Sequence, residues 1–89
     1  MRKLISDVAE IIRDFETLNL IRKNSVHSIM LLNEDRKLIL DVTFIVEEHA
    51  AEVCSEMLES LKKEHNVSGN ISVREEDHFN RKMVASFFE

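Results

Sequence analysis

Leu38-Ile39-Leu40-Asp41-Val42-Thr43-Phe44-Ile45-Val46 runs directly into Glu47-Glu48. Within it Leu38, Leu40, Val42, Phe44 and Val46 recur at every second position, the period of a strand, and β-branched and aromatic residues fill the run. That face belongs to a core. The opposite face, with Ile39, Asp41, Thr43 and Ile45, is mixed. From Glu47 to Lys63 the period changes to that of a helix, with Ala50, Cys54, Met57, Leu58 and Leu61 as its apolar stripe and Val53 at the flank. Acidic Glu47 and Glu48 suit the amino end of that helix, and basic Lys62 and Lys63 the carbonyl end. Glu59 and Lys63 make an exposed pair four residues apart.

Upstream, Asn33-Glu34-Asp35-Arg36-Lys37 is a polar pentad between two apolar runs and predicts a hairpin loop. The earlier run, Val26 to Leu32, alternates Val26, Ser28, Met30 and Leu32 with His27, Ile29 and Leu31 and predicts the partner strand. Asn24-Ser25 punctuates the chain before it. Leu4, Val8, Ile11, Ile12, Phe15 and Leu18 recur at helical spacing, so an amphipathic helix is expected over residues 4–18, with Asp7, Arg13, Asp14 and Glu16 toward water.

Downstream, residues 65–70 hold the single glycine, Gly69, where the helix is expected to stop and the chain to reverse. Ile71 and Val73 mark a short third strand. Phe79, Met83, Val84, Phe87 and Phe88 fit a short terminal helix capped by Asp77, the favoured reading, or a fourth strand. The fold class is therefore α+β, in the order αββαβ followed by a short C-terminal helix or fourth strand.

With 89 residues the chain is a single domain, residues 1–89, and a domain this small gains from a partner surface. It is 44% hydrophobic and 33% charged and has no proline, the composition of a folded globular protein. One cysteine permits no internal disulfide, and no Cys-x-x-Cys pair offers a thiolate zinc site. A reducing, cytoplasmic location is expected, with no membrane insertion, because Asp7 and Glu10 interrupt the apolar positions behind the basic start. The net charge of −5 argues against nucleic acid as a partner, with Arg36, Lys37, Arg81 and Lys82 the one candidate basic patch.

A catalytic site needs a nucleophile beside a base, a glycine-rich phosphate loop, or carboxylates in contrasting environments. None is recognisable here, and no catalytic residue and no enzymatic activity are expected. Cys54 falls on the apolar stripe and is expected to be a small core residue rather than a nucleophile. His27, His49, His65 and His78 include no pair four apart of the kind that builds a helical metal site. Each alone reads as a hydrogen-bonding boundary residue, although folding can bring His27 to the Glu75-Glu76-Asp77 run.

The element order, with His27 inside Ser25-Val26-His27-Ser28-Ile29, Leu40-Asp41-Val42 in the second strand and an acidic-led helix from Glu47 to Lys63, resembles the cytoplasmic C-terminal domain of cation diffusion facilitator transporters. The resemblance spans most of residues 8–76. It implies a ferredoxin-like two-layer unit that dimerises through its sheet region and binds zinc or another divalent cation at the interface. Residue by residue the pattern is thinned: the family's strand-two His falls at Thr43, its helix-start His near Ala51, with His49 displaced by two, and its final His at about Arg74. His27, His49 and Glu76 are the metal candidates this leaves.

These readings together describe a cytosolic binding and dimerisation module, expected to be a homodimer, with no required cofactor and with Phe79, Phe87 and Phe88 as its candidate interaction residues. The alternative is a small acidic inhibitor that occupies the nucleic-acid-binding surface of another protein through Glu47, Glu48, Glu52, Glu56 and Glu59.

Overall fold

The computed structural model describes residues 2–32, 34–35, 37–77 and 80–88. Helix α1 (Arg2–Thr17) precedes strands β1 (His27–Leu32) and β2 (Leu38–Val46); a 3₁₀ turn (Glu48–Ala50) opens helix α2 (Ala51–Glu64), and strands β3 (Ser68–Glu75) and β4 (Arg81–Phe88) follow. The four strands form one sheet in the order β1-β2-β4-β3, every neighbouring pair antiparallel. The expected α+β class is observed, with two helices against one face of an antiparallel sheet.

The C-terminal segment is a strand, which corrects the favoured helical reading. Met83, Ala85 and Phe87 are buried at every second position while Lys82, Val84, Ser86 and Phe88 face the other way. The cause is non-local. β2 presents a free edge, and β4 fills it from Ile39↔Phe88 to Val46↔Arg81, satisfying the backbone groups of the strand that carries most of the core. β3 is longer than Ile71 and Val73 suggest, because its polar alternation, Ser68, Asn70, Ser72 and Arg74, occupies the open face.

The core is one cluster. Leu40, Val42, Phe44 and Val46 of β2 meet Leu4, Val8, Ile12 and Phe15 of α1 and Cys54, Leu58 and Leu61 of α2. The rings of Phe15 and Phe44 sit 6.0 Å apart and tilted by 55°, within the favourable range for aromatic pairs. Two expected core positions lie outside it: Leu18 is exposed beyond the end of α1, and Met57 is exposed on α2.

Both helices end on an asparagine in the left-handed conformation, Asn19 (φ 58°) and Asn66 (φ 53°). After α1 the amide of Leu20 donates to the carbonyl of Phe15 at 2.9 Å and that of Asn19 to Glu16 at 3.1 Å; after α2 Val67 donates to Lys62 and Asn66 to Lys63, each at 3.1 Å. Both are Schellman closures, which satisfy carbonyls a helix end otherwise leaves bare. Gly69 is therefore not the stop signal it resembles. It sits inside β3 opposite Phe87, where a Cβ would run into the carbonyl of Ser86.

Candidate functional site

β1 is one outer strand of the sheet, and its backbone direction follows from the turn that precedes it. The amide of Arg22 donates to the carbonyl of Ile45 at 2.9 Å, and the amide of Ile45 donates to Ser25 Oγ at 3.1 Å, so both peptide groups of Ile45 point to the β1 side of β2. Because direction alternates along a strand, Thr43, Asp41 and Ile39 also point there, and they face His27, Ile29 and Leu31. Ser28, Met30 and Leu32 then turn their amides and carbonyls outward along the edge.

The side chains on this edge are equally open. Ile29, Met30, Leu31 and Leu32 are 56%, 57%, 50% and 67% exposed, so four consecutive apolar residues meet solvent on both faces of one strand. Scattered exposed apolar residues need no explanation, whereas a contiguous row on an unpaired strand marks a docking or aggregation surface. On the helix side, Met30 and Leu32 lie beyond the reach of α1, and an open cleft of about 270 Å³ runs between α1 and the sheet. Ile5, Ala9 and Ile12 form its helical wall, and Ser28 and Leu40 part of its floor. On the open face Ile29 and Leu31 continue into Ile39 and half-buried Phe88.

The other outer strand is guarded. β3 carries Asn70, Ser72, Arg74 and Glu75, and Lys62 of α2 donates from Nζ to the carbonyl of Gly69 at 3.3 Å, placing an ammonium against that edge. Charge and a covering side chain are the ordinary means by which a sheet edge is kept from pairing. β1 has neither.

His27 and Glu76, two of the metal candidates, line one open depression with Ser25, Thr43, Phe44, Ile45 and Lys82. His49 is exposed in the 3₁₀ turn and takes no part in that lining. Among the described residues no three His, Cys, Asp or Glu side chains gather as a metal site would require. Of the candidate interaction residues, Phe87 is wholly buried in the core and Phe88 half-buried on the open face; Phe79 lies outside the described residues. Of the acidic set, Glu48 pairs with Arg81 at 3.5 Å and Glu59 with Lys62 at 3.0 Å, whereas Glu52 and Glu56 stand exposed on α2. Arg36 of the basic patch lies outside the described residues, and Arg81 and Lys82 are divided between the two faces of β4.

Cys54 is fully buried, and burial pushes its thiol up to about 11, which leaves almost no thiolate at neutral pH. No helix among the described residues is long and apolar enough to cross a membrane. No family model, no curated protein and no solved structure matches the chain. The apolar run of β1 was visible in the sequence, but which strand ends up at an edge depends on where β4 inserts, and no residue within Val26–Leu32 encodes that.

Proposed function

We propose that this chain is a non-catalytic binding and dimerisation module whose working surface is the open edge of β1 with the cleft beside it. One observation carries the reading: Ile29, Met30, Leu31 and Leu32 form an exposed, uncharged strand edge, while the opposite edge has Lys62 against one of its carbonyls and carries Arg74 and Glu75. A strand added there gains main-chain hydrogen bonds for affinity and apolar side-chain contacts on both faces. We also infer a circularly permuted ferredoxin-like sandwich, because placing β4 ahead of α1 would give the β-α-β-β-α-β order of that fold.

The test compares wild type with the double variant Ile29→Lys/Leu31→Lys by light scattering at tens of micromolar and by binding of an apolar dye. A wild type that self-associates where the variant does not supports the reading, as does a monomeric wild type that binds the dye at a site the variant lacks. A monomer with no dye site at β1 overturns it.

A second reading takes up the resemblance to cation diffusion facilitator domains, and its support is the shared depression of His27 and Glu76. Lys82 in the same lining opposes a cation, so closure of a zinc site would draw further donors from a second copy. Calorimetry with zinc on wild type and His27→Ala decides it: binding lost with His27 supports the metal role, and binding unchanged or absent removes it.

A further inference from the structure

We infer that the strand received by β1 is β1 of a second copy, antiparallel and in one register, with Met30 facing Met30 across a two-fold axis. This rests on the docking surface proposed above and names its occupant. The register follows from the backbone. Ser28, Met30 and Leu32 are the residues whose peptide groups point outward, and they are symmetric about Met30. Centred there, Ser28 of each copy faces Leu32 of the other, and every outward amide and carbonyl of all three residues finds a partner. A register centred on Ile29 or Leu31 leaves some of them facing solvent. A two-fold interface must be self-complementary, and this strand meets that condition in its hydrogen bonds and in the apolar Met30–Met30 and Ile29–Leu31 contacts.

Electrostatics favours the same occupant. The chain carries a net charge of −5, which opposes most self-contacts, yet His27–Leu32 contains no acidic side chain and no lysine or arginine. The axis stands perpendicular to the sheet, so two four-stranded sheets become one of eight strands with both helix layers on the same side. The two clefts then merge above the Met30 pair, and the Ile29–Leu31 contacts form on the opposite face.

Two measurements test this. In the proposed register Ile29 lies opposite Leu31 of the second copy as a pair without mutual hydrogen bonds, Cα atoms about 4.5 Å apart, within disulfide reach, whereas like residues lie about 8 Å apart, beyond it. Ile29→Cys mixed with Leu31→Cys is therefore expected to give a covalent dimer on mild oxidation, and neither variant alone; buried Cys54 stays out of the reaction. Without any substitution, hydrogen exchange is expected to slow at Ser28, Met30 and Leu32 as concentration rises, and to stay unchanged at Ile29 and Leu31, which already bond to β2. Cross-linking by either variant alone overturns the register. A dimeric mass with no cross-link and no concentration-dependent protection overturns edge pairing and moves self-association to another face. A monomeric mass removes the second copy as occupant, and dye binding at β1 then tells whether the docking surface itself survives.

Discussion

His65 Nε2 lies 2.8 Å from Asp7 Oδ2, joining the end of α2 to the first turns of α1 across 58 positions of sequence. Both side chains are shielded from solvent, His65 more than Asp7, so the contact is a clasp between the two helices rather than a solvent-exposed ion pair. Asp7→Ala is expected to lower stability by about 1–2 kcal/mol, as loss of a partly buried hydrogen bond to a charged group does. A urea midpoint unchanged from wild type would show the clasp to be energetically idle.

Cys54 supplies a pH dependence. Its thiol titrates near 11 in the folded chain against an ordinary 9.0, so the unfolded chain loses this proton first as pH rises. The neutral thiol's contribution is intact below pH 9 and declines between pH 9 and about 11, by roughly 2–3 kcal/mol for a two-unit difference. The stability gap between wild type and Cys54→Ala is expected to narrow over that window. A gap of constant size would place the thiol in a wetter site.

Cys54→Ser keeps the shape and brings a hydroxyl into the buried stripe of α2, at an expected cost of about 1–3 kcal/mol. Chemical denaturation measures it. Rapid labelling of the native thiol would contradict the burial on which this prediction stands.

Gly69→Ala is expected to cost about 1–3 kcal/mol, since its Cβ meets backbone of β4 that cannot rotate away. Thermal melting is the measurement, and an unchanged midpoint would mean that β3 and β4 separate locally at little cost.

The asparagine closures make the opposite prediction. Asn19→Gly and Asn66→Gly relieve a left-handed backbone and should be neutral or stabilising by a few tenths of a kcal/mol, whereas Asn19→Ala and Asn66→Ala should cost about 1 kcal/mol each. If alanine and glycine behaved alike at both positions, the Schellman geometry would be ruled out.

What was legible in the sequence is what short-range periodicity encodes. β2 was readable to its bounds because one face alternates without interruption, and α2 because its apolar stripe and terminal charges agree. The terminal strand was not, since Ala85 and Ser86 have little strand preference and Met83, Val84 and Phe87 also fit one face of a helix; pairing with β2 decides between them. Gly69 was misplaced because asparagine took the helix-ending role that glycine usually fills. His27 and Glu76 lie 49 positions apart and come to one depression only through the sheet that joins their strands.

Lys62 against the carbonyl of Gly69 bears on how many neighbours a copy would take in the proposed pairing. In the proposed β1 pairing, with the β3 edge covered, each copy would have a valence of one, so assembly would halt at a pair however high the concentration. Uncapping the edge would raise the valence to two and turn a closed pair into an open-ended ribbon. Lys62→Val is the variant in which scattering should then grow with time and never plateau, Lys62 serving in that pairing as a chain terminator beside Arg74 and Glu75.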